Sequence, residues 1–232
     1  MVLRKIYDRL LKEYGEQGWW PIISYNGNNS TKTGSINGYH PGEYDFPRND
    51  EERFEIICGA LLTQNTSWLN VEKALTNLRD VGLLGAKEIL EEDSEKIKEC
   101  IKPAGYYNSK AERLKILAEF FIGLKGRVPR RDELLLVKGV GPETCDSILL
   151  YAYSISSFVV DTYTRRIIEG LGVVESGLGY DEIKDFFEKN LEEDYKIYQE
   201  FHALFVEHAK RFYIGKKNGE NDFLKEVIDS FF

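Results

Sequence analysis

The segment from Leu134 to Tyr153, LLLVKGVGPETCDSILLYAY, contains two glycines that flank one aliphatic residue. The pattern predicts a helix that ends before Gly139-Val140-Gly141 and a second helix that begins directly after it. Glycine permits a tight turn there, and Val140 would fill the space between the two helices. The amides of the turn and of the new helix then lack internal partners and suit a phosphate oxygen, with or without a monovalent cation at the Val140 backbone. A turn of this kind is also common between helices that bind nothing.

Twenty residues after Gly141 comes Asp161, in the segment VVDTYTRR. It follows an apolar run and precedes a predicted helix, whose free amides would keep a carboxylate ionised and immobile. Asp is also a favoured N-cap that needs no further role. If the anion faces a groove, it can stabilise an oxocarbenium-like sugar from which a base departs. We expect no catalytic histidine near it, and we interpret His40, His202 and His208 as surface or core polar residues that could at most form a small metal site.

The elements that position these residues are predicted to be helices, because apolar residues recur at three- and four-residue spacings along most of the chain. The predicted helices are Leu3–Tyr14, Phe54–Thr63, Val71–Val81, Ser109–Leu124, Cys145–Tyr153, Thr162–Leu171, Tyr180–Asn190 and Tyr195–Phe212. The apolar triplet at residues 158–160 is too short for a further helix and is interpreted as a buried connection. The predicted fold class is all-α, with two helical subdomains.

Residues 24–49 are rich in Asn, Gly, Ser and Thr and predict a long ordered loop. Its aromatic residues indicate that it packs against another part of the protein. We expect residues 54–158 to form one six-helix subdomain that contains the hairpin. Residues 1–53 and 159–232 would then form a second subdomain from both ends of the chain, with the active-site cleft between the two.

The composition is that of an ordinary globular protein, with 42% apolar and 30% charged residues and a formal net charge of −8. The negative charge argues against a nucleic-acid partner, but a phosphate site made of backbone amides needs few basic side chains. No run of 18 apolar residues occurs and the N-terminus is charged, so we expect neither a membrane span nor a signal peptide, and a cytoplasmic location. The three cysteines, Cys58, Cys100 and Cys145, are too scattered to predict disulfides or a four-thiolate metal site.

Hairpin, glycines and following aspartate together resemble the helix-hairpin-helix DNA glycosylase superfamily, which includes endonuclease III, over roughly residues 50–215. Three further segments are similar to its 3-methyladenine DNA glycosylase III group. They are GWWP at residues 18–21, ALLTQNTSW at residues 60–68, and the stretch from Phe201-His202-Ala203 to Lys210. The resemblance implies a base-excision enzyme that acts as a monomer on damaged double-stranded DNA.

This sequence departs from the pattern of endonuclease III and related enzymes at two points, and both narrow the activity that the resemblance implies. Relatives that also cleave the DNA strand have a catalytic lysine where this chain has Glu143, so we expect no Schiff base and no strand cleavage. Lys138, before the turn, is a poor substitute for that lysine. The cysteine cluster of endonuclease III is missing, so no iron–sulfur cluster and no other cofactor is expected. A lysine modified in the alkylpurine group corresponds to Leu204, so that modification is not expected either.

The resemblance also implies roles for individual residues. Asp161 would be the catalytic residue. The residues expected to contact DNA are Lys138, Gly139, Val140, Gly141, Glu143 and Thr144 at the hairpin, and Gln64 and Asn65, which would fill the gap left by the displaced nucleotide or contact the orphaned base. The residues expected to line the base pocket are Trp19, Trp20, Pro21, Trp68 and Lys210. Each could instead have a purely structural role in the core or on the surface.

The predicted function is therefore that of a monofunctional glycosylase that removes alkylated purines such as 3-methyladenine after base flipping. An alkylated purine is already a good leaving group, so Asp161 could act without a strong general acid. Two alternatives remain open: a glycosylase for uracil, hypoxanthine, 8-oxoguanine or another damaged or mismatched base, and a DNA-binding module without catalytic activity.

Overall fold

In the computed structural model, which describes residues 2–29, 31, 37–215 and 219–229, the regular secondary structure is helical apart from one isolated bridge between Asn28 and Asn37. The α-helices in these ranges are α1 (Val2–Tyr14), α2 (Asp50–Leu62), α3 (Trp68–Asp80), α4 (Ala86–Glu91), α5 (Ser94–Ile101), α6 (Tyr107–Leu124), α7 (Arg131–Leu135), α8 (Pro142–Ser147), α9 (Thr162–Gly170), α10 (Tyr180–Asn190), α11 (Tyr195–Phe212) and α12 (Leu224–Asp229). A 3-10 turn at Lys102–Ala104 follows α5, and a π-helical segment at Ile148–Ala152 continues α8. The all-α prediction is confirmed, and within these ranges no helix is long and apolar enough to cross a membrane.

All eight predicted helices are present, and their boundaries differ where capping decides them. α2 begins four residues before the predicted Phe54, because the Asn49 side chain accepts a hydrogen bond from the Glu52 amide at 2.8 Å. The acidic first turn, residues 50–52, adds a favourable interaction with the helix dipole. Helix α7 is the helix predicted to end before the Gly139 turn, whereas α4, α5 and α12 were not predicted as separate elements, since six to eight residues show too little of the apolar period.

The packing of the helices brings the two ends of the chain together. In the middle of the chain, α4 and α2 each contact α6, and α3 contacts α5. α1 packs against α11 and α12, and α11 also packs against α9. The π-helical segment contacts both α2 and α11, so it joins the middle of the chain to its C-terminal part. The division at residues 54–158 stays a prediction.

Residues 24–49 contain no helix in their described part, and the loop prediction agrees with that. Tyr39 and Phe46 are buried, the His40 ring stacks on Phe46 with centroids 4.2 Å apart, and the Arg48 guanidinium lies 3.9 Å from the Phe46 centroid. Residue 30 and residues 32–36 of this loop lie outside the described residues. The described part therefore packs against the body of the protein.

Residues 158–160 lie outside any helix and are buried, so they form the expected buried connection.

Candidate active site

The turn between α7 and α8 needs glycine at only one of its two glycine positions. Gly139 has a φ of 93°, and a Cβ there would lie 2.3 Å from the Arg113 side chain. Gly141 has a φ of −91°, which any residue adopts, and a Cβ there would meet no atom within 4 Å. Val140 is buried between the helices, as the sequence predicts. Gly141 therefore serves to leave open space beside the backbone, where a ligand could approach closely.

The side chains of Gln64 and Thr144 hydrogen-bond to each other and brace the hairpin, and the DNA contact predicted for both stays a prediction. The Gln64 Nε2 donates to the Gly139 carbonyl oxygen at 3.0 Å and to the Thr144 Oγ1 at 2.9 Å. Arg113 Nη1 donates to the Gln64 Oε1 at 3.2 Å, and Thr144 is buried. The end of α2 lies against the hairpin, so these polar groups hydrogen-bond to one another.

Lys110, a buried lysine, holds together two segments beside the hairpin. Its Nζ donates to the carbonyl oxygens of Leu62 at 2.9 Å, Gln64 at 2.8 Å and Ala104 at 2.9 Å. The next residue after Gln64 is Asn65, which is exposed with a φ of 55°. Tyr106, two residues after Ala104, has a φ of 48° and is 71% exposed. Lys110 thus fixes two neighbouring turns, each with a left-handed residue facing solvent.

Asp161 caps α9, as predicted. Its Oδ1 accepts a hydrogen bond from the Thr164 amide at 2.7 Å, and its side chain keeps 14% of its surface exposed. Burial alone would raise the pKa of this carboxyl, but His202 and the Thr164 amide outweigh burial, so the pKa lies below its ordinary value. The structure therefore provides an ionised and immobile carboxylate that is not sealed in the core.

His202 lies beside this carboxylate, a contact not predicted from the sequence. Its Nε2 is 3.7 Å from the Asp161 Oδ2, and its Nδ1 is 2.7 Å from the Tyr151 hydroxyl. Both rings are buried. The contact joins α11 to the start of α9, and no spacing in the sequence indicates it.

The three tryptophans form one cluster, and their role as a base pocket stays a prediction. The ring centroids of Trp19 and Trp68 are 4.8 Å apart, those of Trp19 and Trp20 are 5.1 Å apart, and those of Trp20 and Trp68 are 5.3 Å apart. Their buried indole N–H groups have no hydrogen-bond acceptor among the described residues. Gly59 of α2 makes room for Trp20, since a Cβ there would lie 2.9 Å from the indole nitrogen. The Trp20 ring also lies 5.3 Å from Tyr151, which connects the cluster to His202 and Asp161.

The remaining predicted pocket residues are Pro21, which follows Trp20 in the chain, and Lys210 in the last turn of α11. Pro21 is buried, and together with Trp68 it lines a cavity of about 190 Å³. The residues that line this cavity are Pro21, Ile23, Asn37, Trp68, Glu72, Thr76 and Arg79, so it does not extend to Asp161. Lys210 is half-buried, and its Nζ lies 3.5 Å from the buried carboxylate of Glu207.

Two buried carboxyls hold the segment that contains Trp19 and Trp20. The Gln17 amide donates to the Glu200 Oε1 of α11 at 2.6 Å, and the Ile23 amide donates to the Glu55 Oε1 of α2 at 2.6 Å. Burial raises the pKa of each carboxyl to about 7. The segment is therefore held between α2 and α11 by groups that can be neutral near pH 7.

Glu200→Gln is expected to flatten the dependence of stability on pH. The pKa of Glu200 is near its ordinary value of 4.5 when unfolded and about 7 when folded. Its stabilising contribution is thus complete below pH 4.5 and is lost as the pH rises through 7, a change of about 3 kcal/mol. Urea denaturation at pH 5 and pH 8 should show a smaller loss in Glu200→Gln than in the wild type. The exposed Glu193→Gln should behave like the wild type, and an unchanged pH dependence in Glu200→Gln would contradict the assignment.

Glu143 stands at the start of α8, accessible to solvent but close to Asp161. Partial removal of the carboxyl from water is the main cause that raises its pKa to about 7. The charge of Asp161 raises the pKa further, and His202 lowers it. Lys138 is exposed, and its Nζ lies 2.7 Å from the Glu112 Oε1. The position beside the hairpin thus holds a carboxyl group, and the lysine before the turn forms an ion pair on the surface.

The geometry agrees with what comparisons with known proteins show. Residues 58–193 match the family model of the HhH-GPD superfamily base excision DNA repair proteins. A candidate DNA repair glycosylase of Methanocaldococcus jannaschii is 44% identical over 97% of this chain and 94% of its own length. Endonuclease III of Sulfolobus acidocaldarius is 29% identical over 68% of this chain and 73% of its own length.

Solved structures show the same fold. A 3-methyladenine DNA glycosylase of H. pylori bound to 1,N6-ethenoadenine is 30% identical, with a TM-score of 0.67, 90% of this chain covered and 95% of that chain covered. An endonuclease III–DNA complex is 18% identical with a TM-score of 0.74, covering 97% of this chain and 92% of that one, and supports the fold alone. The chain therefore belongs to the HhH-GPD superfamily of base excision DNA repair proteins and is a DNA glycosylase of that family.

Proposed function

We propose that the protein is a monofunctional glycosylase that hydrolyses the N-glycosidic bond of alkylated purines such as 3-methyladenine in double-stranded DNA. The observation that carries the proposal is the contact path from the tryptophan cluster through Tyr151 and His202 to Asp161. A base held at the cluster would have its sugar near an ionised carboxylate. We further propose that it acts as a monomer without an iron–sulfur cluster; its cysteines are buried on α2, α5 and α8.

The substrate class is supported by the indole rings and by similarity. Electron-poor, alkylated purines stack well on indole, and cationic lesions gain further from the ring quadrupole. The H. pylori 3-methyladenine DNA glycosylase is 30% identical to this chain over nearly its whole length. Alkylation at N3 or N7 also makes the purine a good leaving group. A site with one ionised carboxylate therefore suits such a substrate better than it suits a neutral, stable base.

The DNA would be anchored at the hairpin and bent toward the cluster. The open space at Gly141 would give a phosphate access to the amides at the start of α8. A monovalent cation at the Val140 backbone stays a prediction, and the neighbouring Gly139 carbonyl oxygen already accepts a hydrogen bond from Gln64. Once the nucleotide is displaced, Asp161 would stabilise the cationic sugar or orient the attacking water.

The gap in the duplex would be filled by Tyr106, which sequence reasoning missed, together with Asn65. Tyr106 is the most exposed aromatic side chain among the large exposed apolar residues of the described chain, at 71%. The feature of the sequence that could have indicated Tyr106 is its place directly after Gly105, in a short turn between helices. Gln64, which was predicted for this role, already uses its amide to brace the hairpin.

Tyr106→Ala is expected to slow base release from duplex DNA about tenfold or more, because unstacking a base costs roughly a few kcal/mol that an inserted ring offsets. Single-turnover excision should be measured on duplex and single-stranded forms of one alkylated oligonucleotide. Release from the single strand should be unchanged, and Tyr106→Leu, which keeps an apolar wedge, should remain near the wild type. Equal slowing on both substrates would assign Tyr106 to folding rather than to base displacement.

The monofunctional assignment rests on Glu143, because a carboxyl cannot form a Schiff base with the sugar. Incubation with lesion-containing DNA and borohydride is expected to trap no covalent protein–DNA adduct. Glu143→Lys provides the matched comparison, since it places an amine at the start of α8. A trapped adduct with the wild-type protein would show that another amine attacks the sugar.

The substrate class is tested by base release from genomic DNA that has been treated with a methylating agent, followed by mass analysis. We expect free 3-methyladenine in the soluble fraction. Recovery of only uracil, hypoxanthine or 8-oxoguanine from DNA that contains them would reassign the pocket to another base. Binding without release of any base would favour a DNA-binding module without catalytic activity.

A further inference from the structure

The Asp161 carboxylate has two oxygens with two different neighbours. The Oδ1 is fixed by the Thr164 amide at 2.7 Å, and the Oδ2 faces the His202 Nε2 at 3.7 Å. The first contact holds one oxygen, and His202 is the neighbour of the other. A hydrogen bond from His202 would fix the orientation of the second oxygen as well. At 3.7 Å the contact is electrostatic, and a movement of about 1 Å would make it a hydrogen bond, as happens when substrates close active sites.

We propose that His202, together with Tyr151, is a positioning residue that presents an Nε2–H group to Asp161 in both of its protonation states. The proposal rests on the proposed function in one respect, the role of Asp161 as the catalytic carboxylate. His202 would act through Asp161 and would not touch the DNA. Its effect would be to keep the carboxylate ionised and oriented toward the reacting sugar.

The hydrogen-bond inventory around Tyr151 supports this proposal. The phenol has one proton and two acceptors within reach, the Gln199 carbonyl oxygen at 3.1 Å and the His202 Nδ1 at 2.7 Å. When the phenol donates to Nδ1, neutral His202 keeps its own proton on Nε2. When the phenol donates to Gln199, His202 can hold protons on both nitrogens and donate from Nδ1 to the phenol oxygen. Rotation of one hydroxyl thus lets His202 gain or lose a proton while Nε2–H still faces Asp161.

The third arrangement, neutral His202 with its proton on Nδ1, is disfavoured. It would place the Nε2 lone pair against the ionised Asp161, which has a depressed pKa. Among the described residues, the His202 Nε2 has no polar partner other than Asp161. The charged groups that act on this site are carboxyls, Glu143 at the start of α8 and Glu200 near Tyr151 on α11. A protonated Nε2 is therefore the form that satisfies both ends of the imidazole.

Removing His202 should have a signature that a loss of packing does not produce. His202 lowers the pKa of Asp161, so its loss should raise that pKa. Excision needs the ionised carboxylate, and the acid limb of the pH–rate profile should then move to higher pH. DNA affinity should not change, since none of these side chains lies among the residues proposed to contact the phosphates.

Two amide substitutions separate the two nitrogens of the imidazole. The side-chain nitrogen of Asn falls near the place of Nδ1, so His202→Asn keeps the contact to Tyr151 and loses the one to Asp161. The nitrogen of Gln falls near the place of Nε2, so His202→Gln keeps a donor for Asp161. We expect His202→Asn to slow single-turnover excision roughly tenfold to a hundredfold with its acid limb at higher pH. His202→Gln should stay within about threefold of the wild type, and both should bind a duplex with an uncleavable abasic analogue as the wild type does.

A second readout needs no substrate. In protein labelled with ¹⁵N at histidine, the His202 Nε2 signal, assigned by its loss in His202→Asn, should report a protonated nitrogen from pH 5 to pH 8. Asp161→Asn should shift this signal and leave those of His40 and His208 in place. An unprotonated Nε2, or a His202→Asn variant with the rate and acid limb of the wild type, would overturn the proposal. Excision that survives Asp161→Asn would instead overturn the proposed function, so the two failures are distinguishable.

Discussion

Asp161→Asn is expected to slow base excision about a thousandfold or more, while binding to duplex DNA is retained. Asparagine is nearly isosteric and can still accept the hydrogen bond from the Thr164 amide, so α9 keeps its cap. The substitution removes the negative charge that would stabilise the cationic sugar. Single-turnover release from a duplex with one alkylated purine measures the loss, and fluorescence anisotropy with an abasic duplex measures the binding.

The matched control for this experiment is Asp93→Asn. Asp93 caps α5 through a hydrogen bond from the Glu95 amide at 2.7 Å, so it has the same local role as Asp161 without a neighbouring tryptophan cluster. Its variant should bind and excise as the wild type does. If Asp161→Asn retains more than a small fraction of activity, or if it loses DNA binding, then the carboxylate is not the group that stabilises the transition state.

Lys110→Met is expected to cost about 3 kcal/mol or more in the free energy of unfolding. Methionine matches the length of the lysine stem, but it leaves the carbonyl oxygens of Leu62, Gln64 and Ala104 without the ammonium donor. Each buried polar group that loses its partner costs roughly 1–3 kcal/mol. Urea denaturation gives the change, with Lys189→Met as the control, because exposed ion pairs such as Lys189–Asp185 contribute little.

The same variant should loosen the two turns that Lys110 joins. Hydrogen exchange should become faster at the amides of residues 63–66 and 105–107, since the ammonium group that holds the nearby carbonyl oxygens is gone. Duplex excision should then fall together with stability, because Asn65 and Tyr106 stand on these turns. A stability change close to that of Lys189→Met would mean that the three carbonyl groups find other donors and that Lys110 is not what holds the turns.

The residues predictable from the sequence are those whose role is local. The positive φ of Gly139 and the Asp161 cap are local features of the backbone, and the long helices depend on a period that repeats over several turns. The tryptophan cluster could be predicted only by resemblance to the family. The same resemblance suggests a wedge role for Gln64, but it could not show that this side chain also braces the hairpin.

The features that could not be predicted depend on contacts between distant parts of the chain. Tyr151 and His202 are 51 positions apart, and Lys110 reaches back 48 positions to Leu62. A lysine in a helix is ordinarily a surface residue, and a buried one is indicated only when its acceptors are known. The pairing of His202 with Asp161 likewise follows from the packing of α11 on α9, which no periodic pattern specifies.

The most direct test of the account is a crystal structure of the protein with a duplex that contains a cationic pyrrolidine abasic nucleotide, a mimic of the sugar during base loss. We predict that a phosphate contacts the amides beside Gly141 and that the pyrrolidine nitrogen contacts the Asp161 carboxylate. The space left by the base should open toward the tryptophan cluster. A complex in which the duplex avoids the hairpin, or in which the pyrrolidine lies far from Asp161, would contradict the account.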